Sequence, residues 1–214
     1  GQRRELARVL RKAERWNVLV DALREEIDKT PSADDKVALL GEQADIYKNR
    51  LKQDSGYLNA LNAILALRAG SLPVLDQLAA QYEAMKRWPD LVSTLQKRVA
   101  ATMDAPSKVQ LLLRVAALFQ EKFSNQTEAI KTFEAALELD PENGAAVDYL
   151  KAAYEKRRDW EKLIALKKRE IERVQDSAQR TQLLVDIAKL ASEKLKKPSV
   201  SIDLWSAVLA ADGD

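Results

Sequence analysis

Carboxylates are the first side chains in this sequence that could do chemistry. The segments "DALREEID", "PSADDK" and "GEQAD" gather acids between Asp21 and Asp45. Hydrolytic acid–base work uses two such groups in a cleft, one of them with a raised pKa. Here the acids alternate with Arg24, Lys29 and Lys36 at helical spacing, which is the pattern of a solvated helix face. The chain has no histidine and no cysteine. The commonest general base, the thiol nucleophile and the usual zinc ligands are therefore missing. Its six glycines stand apart from one another, and none precedes a Lys-Ser or Lys-Thr pair, so no phosphate-cradling loop is encoded. The sequence predicts a protein that is not an enzyme, with no catalytic residues, no cofactor and no metal site.

Basic side chains offer a second chemistry. Residues 1–15 hold Arg3, Arg4, Arg8, Arg11, Lys12 and Arg15 against Glu5 and Glu14, and residues 150–173 hold nine Lys or Arg against five acids. A helical-repeat protein that binds RNA needs a path of such charges for the phosphates, and that is the alternative functional reading. Interleaved Glu155, Asp159, Glu161, Glu170 and Glu172 would repel phosphates, and no exposed aromatic pattern for base stacking is evident. The whole chain is nearly neutral, with 35 basic against 33 acidic side chains, so its surface is not built for a polyanion. Nucleic acid therefore ranks below protein as a partner. No apolar run is long enough for a membrane span, so no membrane insertion is expected. The lack of cysteine suits cytoplasm and periplasm alike, which leaves the compartment unknown.

The elements that carry these side chains follow from the tryptophans. Trp16, Trp88 and Trp160 stand 72 residues apart, and "RWNVLVDAL", "RWPDLVSTL" and "DWEKLIALK" keep the same apolar offsets. Such a period marks a repeat array. In the first segment after each tryptophan helix, Val37, Leu40, Ala44, Tyr47 and Leu51 match Val109, Leu112, Ala116, Phe119 and Phe123, then Thr181, Leu184, Ala188, Ala191 and Leu195. Spacing of three and four is one face of an α-helix. A second stripe runs Leu58, Leu61, Leu65, then Ile130, Phe133, Leu137, then Ile202, Trp205, Leu209. A third runs Leu75, Leu78, Tyr82, then Val147, Leu150, Tyr154, with Leu6 and Leu10 at the start of the chain. The tryptophan segment is the fourth. About twelve short helices result, none stable alone in water. Pro31, Pro73, Pro106, Pro141 and Pro198 fall between the stripes, and Pro89 sits where a first-turn proline is tolerated. A large ring opening each tryptophan helix reads as core packing, because a ligand site would not recur three times.

At "QTEAIKTFEAALELDPEN" the sequence resembles the second half of a tetratricopeptide repeat, through Ala129, Phe133, Ala136 and Pro141, with Leu112, Val115, Ala116 and Phe119 similar to the family's first helix. "QLAAQYEAMKRWPDLVSTL" is a more distant version, in which Leu91 stands at the small position. Trp88 to Gln126 is 38 residues and Gln126 to Trp160 is 34, so two unlike motifs alternate within the 72-residue unit. The resemblance implies an all-α solenoid, a right-handed superhelix of about six antiparallel helix pairs. It also implies a non-catalytic protein–protein interaction scaffold that holds a protein or peptide on its concave face. In that arrangement the first helix of each pair lines the inner curve, which assigns the partner-binding face to Asp76, Ala80, Glu83, Gln120, Glu121, Asp148, Ala152 and Glu155. The family's clamp for a terminal carboxylate is not expected, since its positions hold Gly41 and Asp45, Asp76 and Ala80, Leu113 and Ala117, Asp148 and Ala152, and Val185 and Lys189.

Five carboxylates without lysine or arginine make the middle of that face acidic, so a basic or amphipathic helical segment is the partner it suits. Residues 1–214 are expected to form one repeat domain cut from a longer array. Apolar side chains of the last pair, such as Ile202, Val208 and Leu209, should then be partly uncovered, and the fragment should associate end to end.

Overall fold

The computed structural model describes residues 2–211, with side chains from Glu5 onward. The described residues form twelve α-helices and no strand: α1 (Gln2–Lys12), α2 (Trp16–Lys29), α3 (Ala33–Asp45), α4 (Asp54–Leu67), α5 (Leu72–Ala84), α6 (Trp88–Ala101), α7 (Ala105–Glu121), α8 (Gln126–Leu139), α9 (Gly144–Arg157), α10 (Trp160–Ile171), α11 (Ser177–Lys194) and α12 (Pro198–Ala211). The 72-residue period fixes their first residues. Trp16, Trp88 and Trp160 each open a helix; so do Ala33, Ala105 and Ser177, then Asp54, Gln126 and Pro198, then Leu72 and Gly144. No described helix is long and apolar enough to cross a membrane.

Local chemistry repeats with the same step. Ser32, Asp104 and Asp176 accept hydrogen bonds from the backbone N–H of Asp35, Ser107 and Gln179 at 3.3, 2.9 and 2.6 Å, capping α3, α7 and α11. Each satisfies an N–H that the first turn leaves without a partner. Pro73, Pro106 and Pro198 lie inside the first turns of α5, α7 and α12, not between helices. There a proline removes no helical hydrogen bond.

Helix ends repeat too. Glu14, Lys86 and Arg158 adopt left-handed backbone, with φ of 53°, 55° and 59°. The next N–H then reaches back to the carbonyl five residues earlier, Arg15 to Leu10 at 2.9 Å, Arg87 to Tyr82 at 2.8 Å and Asp159 to Tyr154 at 2.8 Å. This is the Schellman closure, built here without glycine. Lys52 and Ser124 are left-handed at the other hinge, with φ of 54° and 49°. Ahead of Lys52, α3 continues as a π-helical turn, Ile46–Leu51, which absorbs an extra residue.

Two compact units divide the chain, one up to Leu111 and one from Leu112. In the first, α1 to α6 pack each on the next. Ala7 and Leu10 meet Leu19, Val20, Leu23 and Ile46, with Trp16 against the cluster; further along, Leu61, Leu75, Leu78, Leu91 and Leu95 are fully buried. In the second unit, Ile130, Phe133 and Leu137 of α8 join Val147, Leu150 and Tyr154 of α9 and Leu163 and Leu166 of α10. A separate cluster joins Ile164 and Ile171 to Leu184, Ile187, Ala188 and Ala191 of α11 and to Leu204 and Val208 of α12. Val208 is thus core, which corrects the expectation that it would be uncovered. It lies four residues after Leu204, on the face of α12 that α11 covers, whereas Ile202 and Leu209 lie on the open face.

Trp16, Trp88 and Trp160 are half-buried. Trp160 packs against the α8–α10 core. The Arg50 guanidinium stands 4.9 Å from the Trp16 ring centre and the Lys194 ammonium 6.0 Å from that of Trp160. Both cations come 34 residues after their ring, so the interaction belongs to the repeat.

A hydrogen-bonded clasp also recurs. Tyr154 Oη donates to Glu134 Oε1 at 2.7 Å, and Lys162 Nζ donates to the same oxygen at 2.7 Å. One period earlier, Asn62 donates to Tyr82 Oη at 3.3 Å. Burial pushes the Tyr154 phenol up and Glu134 reinforces the shift. Burial would raise Glu134 as well, but the bonds from Lys162 and Tyr154 outweigh it and hold the carboxyl below the usual range. Tyr154→Phe is expected to cost about 1–2 kcal/mol, because it leaves a partly buried carboxylate short of a donor. A phenol raised in the folded state stabilises fully below its unfolded pKa of about 10, and that contribution is lost as pH rises through the folded value. A depressed carboxyl does the reverse, contributing above about pH 4.3 and losing it as pH falls. Urea midpoints for wild type and Tyr154→Phe should therefore converge above pH 10, and parallel curves there would refute the clasp.

Candidate functional site

All eight residues assigned to the partner-binding face are exposed. In the first unit, Asp76, Ala80 and Glu83 lie on α5 at spacings of four and three, which places them on one side of the helix. Asp76 is held from α6: Arg98 Nη2 donates to Oδ2 at 3.1 Å, while Nε lies 2.5 Å from Oδ1 in poor hydrogen-bond alignment. That carboxylate is ion-paired before any partner arrives. An Arg–carboxylate pair of this kind also fixes the side chain's direction.

In the second unit, Gln120 and Glu121 end α7, and Asp148, Ala152 and Glu155 run along α9. Gln120 and Ala152 share a groove of about 420 Å³ with Ser124, Gln126, Tyr149 and Lys156. The Tyr149 ring stacks on Phe133 with centroids 4.2 Å apart and planes tilted by 31°. Burial raises the Tyr149 phenol, so the ring stays neutral through the physiological range. The groove thus has an aromatic wall anchored in the core and is also lined by the Gln120 and Gln126 amides, the Ser124 hydroxyl and Lys156. Glu121, Asp148 and Glu155 do not line it.

These positions correct the expected electrostatics. The middle of the face was expected to carry acids and no base, yet Lys156 lines the groove beside Ala152, one helical turn on. Asp148 Oδ1 lies 3.5 Å from Lys151 Nζ, and Glu121 Oε2 lies 4.0 Å from Lys122 Nζ. Tyr149 and Lys156 were missed because the stripe was stepped as 148, 152 and 155. Stepping 149, 152, 153 and 156 meets the same spacing rule and selects the groove side of α9.

Six of the thirteen described Lys and Arg side chains of the basic clusters are ion-paired. Arg8 pairs with Glu5 at 2.7 Å and Arg11 with Glu42; in the later cluster Lys151 pairs with Glu170 at 3.0 Å, Lys162 with Glu134 at 2.7 Å, Arg157 with Asp159 at 3.6 Å and Arg173 with Glu142 at 3.4 Å. Arg3 and Arg4 lie outside the residues whose side chains are described. No group of three or more acidic side chains that could hold a metal ion occurs among the described residues.

Asp76, Ala80 and Glu83 belong to α5 and the other five residues to α7 and α9, while Ala129, Phe133 and Ala136 are buried positions of α8. The chain is similar to tetratricopeptide-repeat proteins. Among solved structures, a tetratricopeptide repeat protein from Parabacteroides merdae matches at 14% identity over 98% of this chain and 78% of that one, with a TM-score of 0.42. YrrB, described as a tetratricopeptide protein with an unusual peptide-binding site, matches at 11% identity over 91% of this chain and 94% of its own, with a TM-score of 0.41. A putative kinesin light chain from Podosopora anserina with nearly identical tetratricopeptide-like repeats matches at 18% identity over 90% and 94%, with a TM-score of 0.39. No family model and no curated protein matches the chain.

Proposed function

We propose that this chain is a non-catalytic protein-interaction module that receives a peptide or helical segment on the first-helix face, the groove between α7 and α9 being its built part in the second unit. The observation that carries this is Tyr149: an aromatic ring half-open to solvent, supported from below by Phe133, beside a shallow channel. Aromatic surface of that kind is what anchors a bound segment, and polar groups around it fix orientation. Asp148 and Glu155 on α9, and separately Glu83 on α5, favour a partner with basic or amphipathic character, through encounter rate and register more than through raw affinity. Association of the chain with itself, end to end, belongs to the same reading.

The test is capture of partners by the immobilised chain, compared with Glu83→Lys, Asp148→Lys and Glu155→Lys combined and with Tyr149→Ala. Asp76 is left in place, because reversing it would set a lysine against Arg98 and disturb folding. The charge variant is expected to weaken capture about tenfold or more at low salt, with the gap closing as salt rises. Tyr149→Ala should weaken it at every salt concentration. Helical content and melting temperature should hold for the charge variant, whose sites are exposed. Capture that survives both changes would sink the assignment. Salt-sensitive retention of single-stranded RNA, abolished at Lys156, Arg157 and Arg158, would favour the nucleic-acid reading instead.

A further inference from the structure

The outer faces of α1 and α12 are apolar and open, although the same positions elsewhere in the chain are covered. Leu6 of α1 is 50% exposed, while Leu78 and Leu150, its counterparts one and two periods on, are each 1% exposed. Ile202 and Leu209 of α12 are 63% and 74% exposed; their counterparts are buried, Leu58 and Ile130 at 4% and 5%, Leu65 and Leu137 at 9% and 7%. Trp205 follows the same rule against buried Leu61 and Phe133. What joins Ile130, Phe133 and Leu137 in one core is α9, through Val147, Leu150 and Tyr154. One period earlier, α5 packs on α4. By register α1 is the third helix of the α5 and α9 type, and α12 is the third of the α4 and α8 type. Their open faces are the two halves of a joint that this chain already makes twice.

We propose that these halves bind each other between molecules, with α1 of one molecule docking on α12 of a second copy of this chain in the α8–α9 register. Leu6 then takes the place of Leu150, among Ile202, Trp205 and Leu209 in the places of Ile130, Phe133 and Leu137. Val9, also half-open, takes the place of buried Ala153. The joint is head-to-tail and uses different surfaces on the two molecules, so a docked pair keeps one unused face of each kind and can add further copies. It is weaker than the internal joints. Ser206 and Leu10 stand where Glu134 and Tyr154 form their clasp, and the docked area is one helix face, at the low end of specific interfaces. The inference deepens the end-to-end part of the reading above and is indifferent to the groove.

Sedimentation of the 214-residue chain over about a hundredfold range of concentration tests it. The mean mass of wild type should climb with concentration. Leu6→Glu alone, and Ile202→Glu with Leu209→Glu, should each weaken association at least about tenfold, since a buried unpaired charge is costly, while the melting temperatures stay unchanged because these side chains are open in the single molecule. Mixing the two variants should give a one-to-one dimer that grows no further, each variant supplying the intact face that the other lacks. A wild type that stays monomeric throughout, association that persists in both variants, or a mixture that stays monomeric would each overturn the proposal. None of these substitutions touches Tyr149 or the acids beside it, so failure here and failure of groove capture are read separately.

Discussion

Leu163→Ala is expected to destabilise the chain by about 2–5 kcal/mol, and the opposite exchange at the equivalent place, Ala129→Leu, by about 1–3 kcal/mol. Both residues sit three positions into a second helix, Leu163 after Trp160 and Ala129 after Gln126. Leu163 is 3% exposed and belongs to the cluster of Leu150, Ala153, Tyr154 and Leu166, with Trp160 alongside. Truncating it removes buried methyl groups and leaves a cavity that its neighbours fill only in part. Ala129 is wholly buried, and a larger side chain there must displace close-packed neighbours. The two kinds of pair therefore use opposite sizes at one position, as the alternation of 38 and 34 residues suggests. Urea unfolding of both variants checks this. A neutral Ala129→Leu together with a loss below about 1 kcal/mol for Leu163→Ala would mean that the position is plastic and that the alternation has no packing basis.

That alternation shows how much of the fold could be read from the residues. Helix starts were legible because the period locates each one three times, and a signal ambiguous in one unit is resolved by the others. Hinges were not. Glu14, Lys52, Lys86, Ser124 and Arg158 are all left-handed and none is glycine, so the usual mark of a helix end is missing. The closing hydrogen bonds and the packing of adjoining helices impose the conformation in its place. The π-helical turn at Ile46–Leu51 was equally hidden, since one extra residue in a period of four helices can be taken up in any turn.

For the site, the legible part was which helices carry it and which residues are open. The illegible part was pairing across helices. Arg98 reaches Asp76 from a different helix 22 residues away, and Lys156 joins the groove only because α7 ends beside α9. A stripe on one helix gives a side chain's direction but not its neighbour, and charge at a surface is decided by neighbours.

Glycine supplies the sharpest test of whether the π-helical turn is fixed by packing. Gly56→Ala is expected to destabilise by about 1–2 kcal/mol, although alanine is the better helix former by about 1 kcal/mol. Gly56 lies in the first turn of α4, and a Cβ there would stand 2.4 Å from Tyr47 Cδ1, 2.5 Å from Cε1 and 2.6 Å from Cγ. Cγ is the root of the ring, so rotation at its far end relieves nothing. Tyr47 would have to leave its rotamer or carry the turn Ile46–Leu51 with it, away from the core of Leu19, Val20 and Leu23 against which it packs. Overpacking of that order costs about 1–3 kcal/mol and exceeds the gain in propensity. Gly41 is the control: it lies inside α3 with no atom within 4 Å of an added Cβ. Gly41→Ala should therefore stabilise by about 0.5–1 kcal/mol. Thermal melts of the two variants should move in opposite directions. In a Tyr47→Ala background the loss at Gly56→Ala should disappear, since the cycle isolates the contact between the two positions. If both glycine variants raise the melting temperature alike, Tyr47 is free to move, and the turn is held by its own hydrogen bonds instead of by the ring wedged on Gly56.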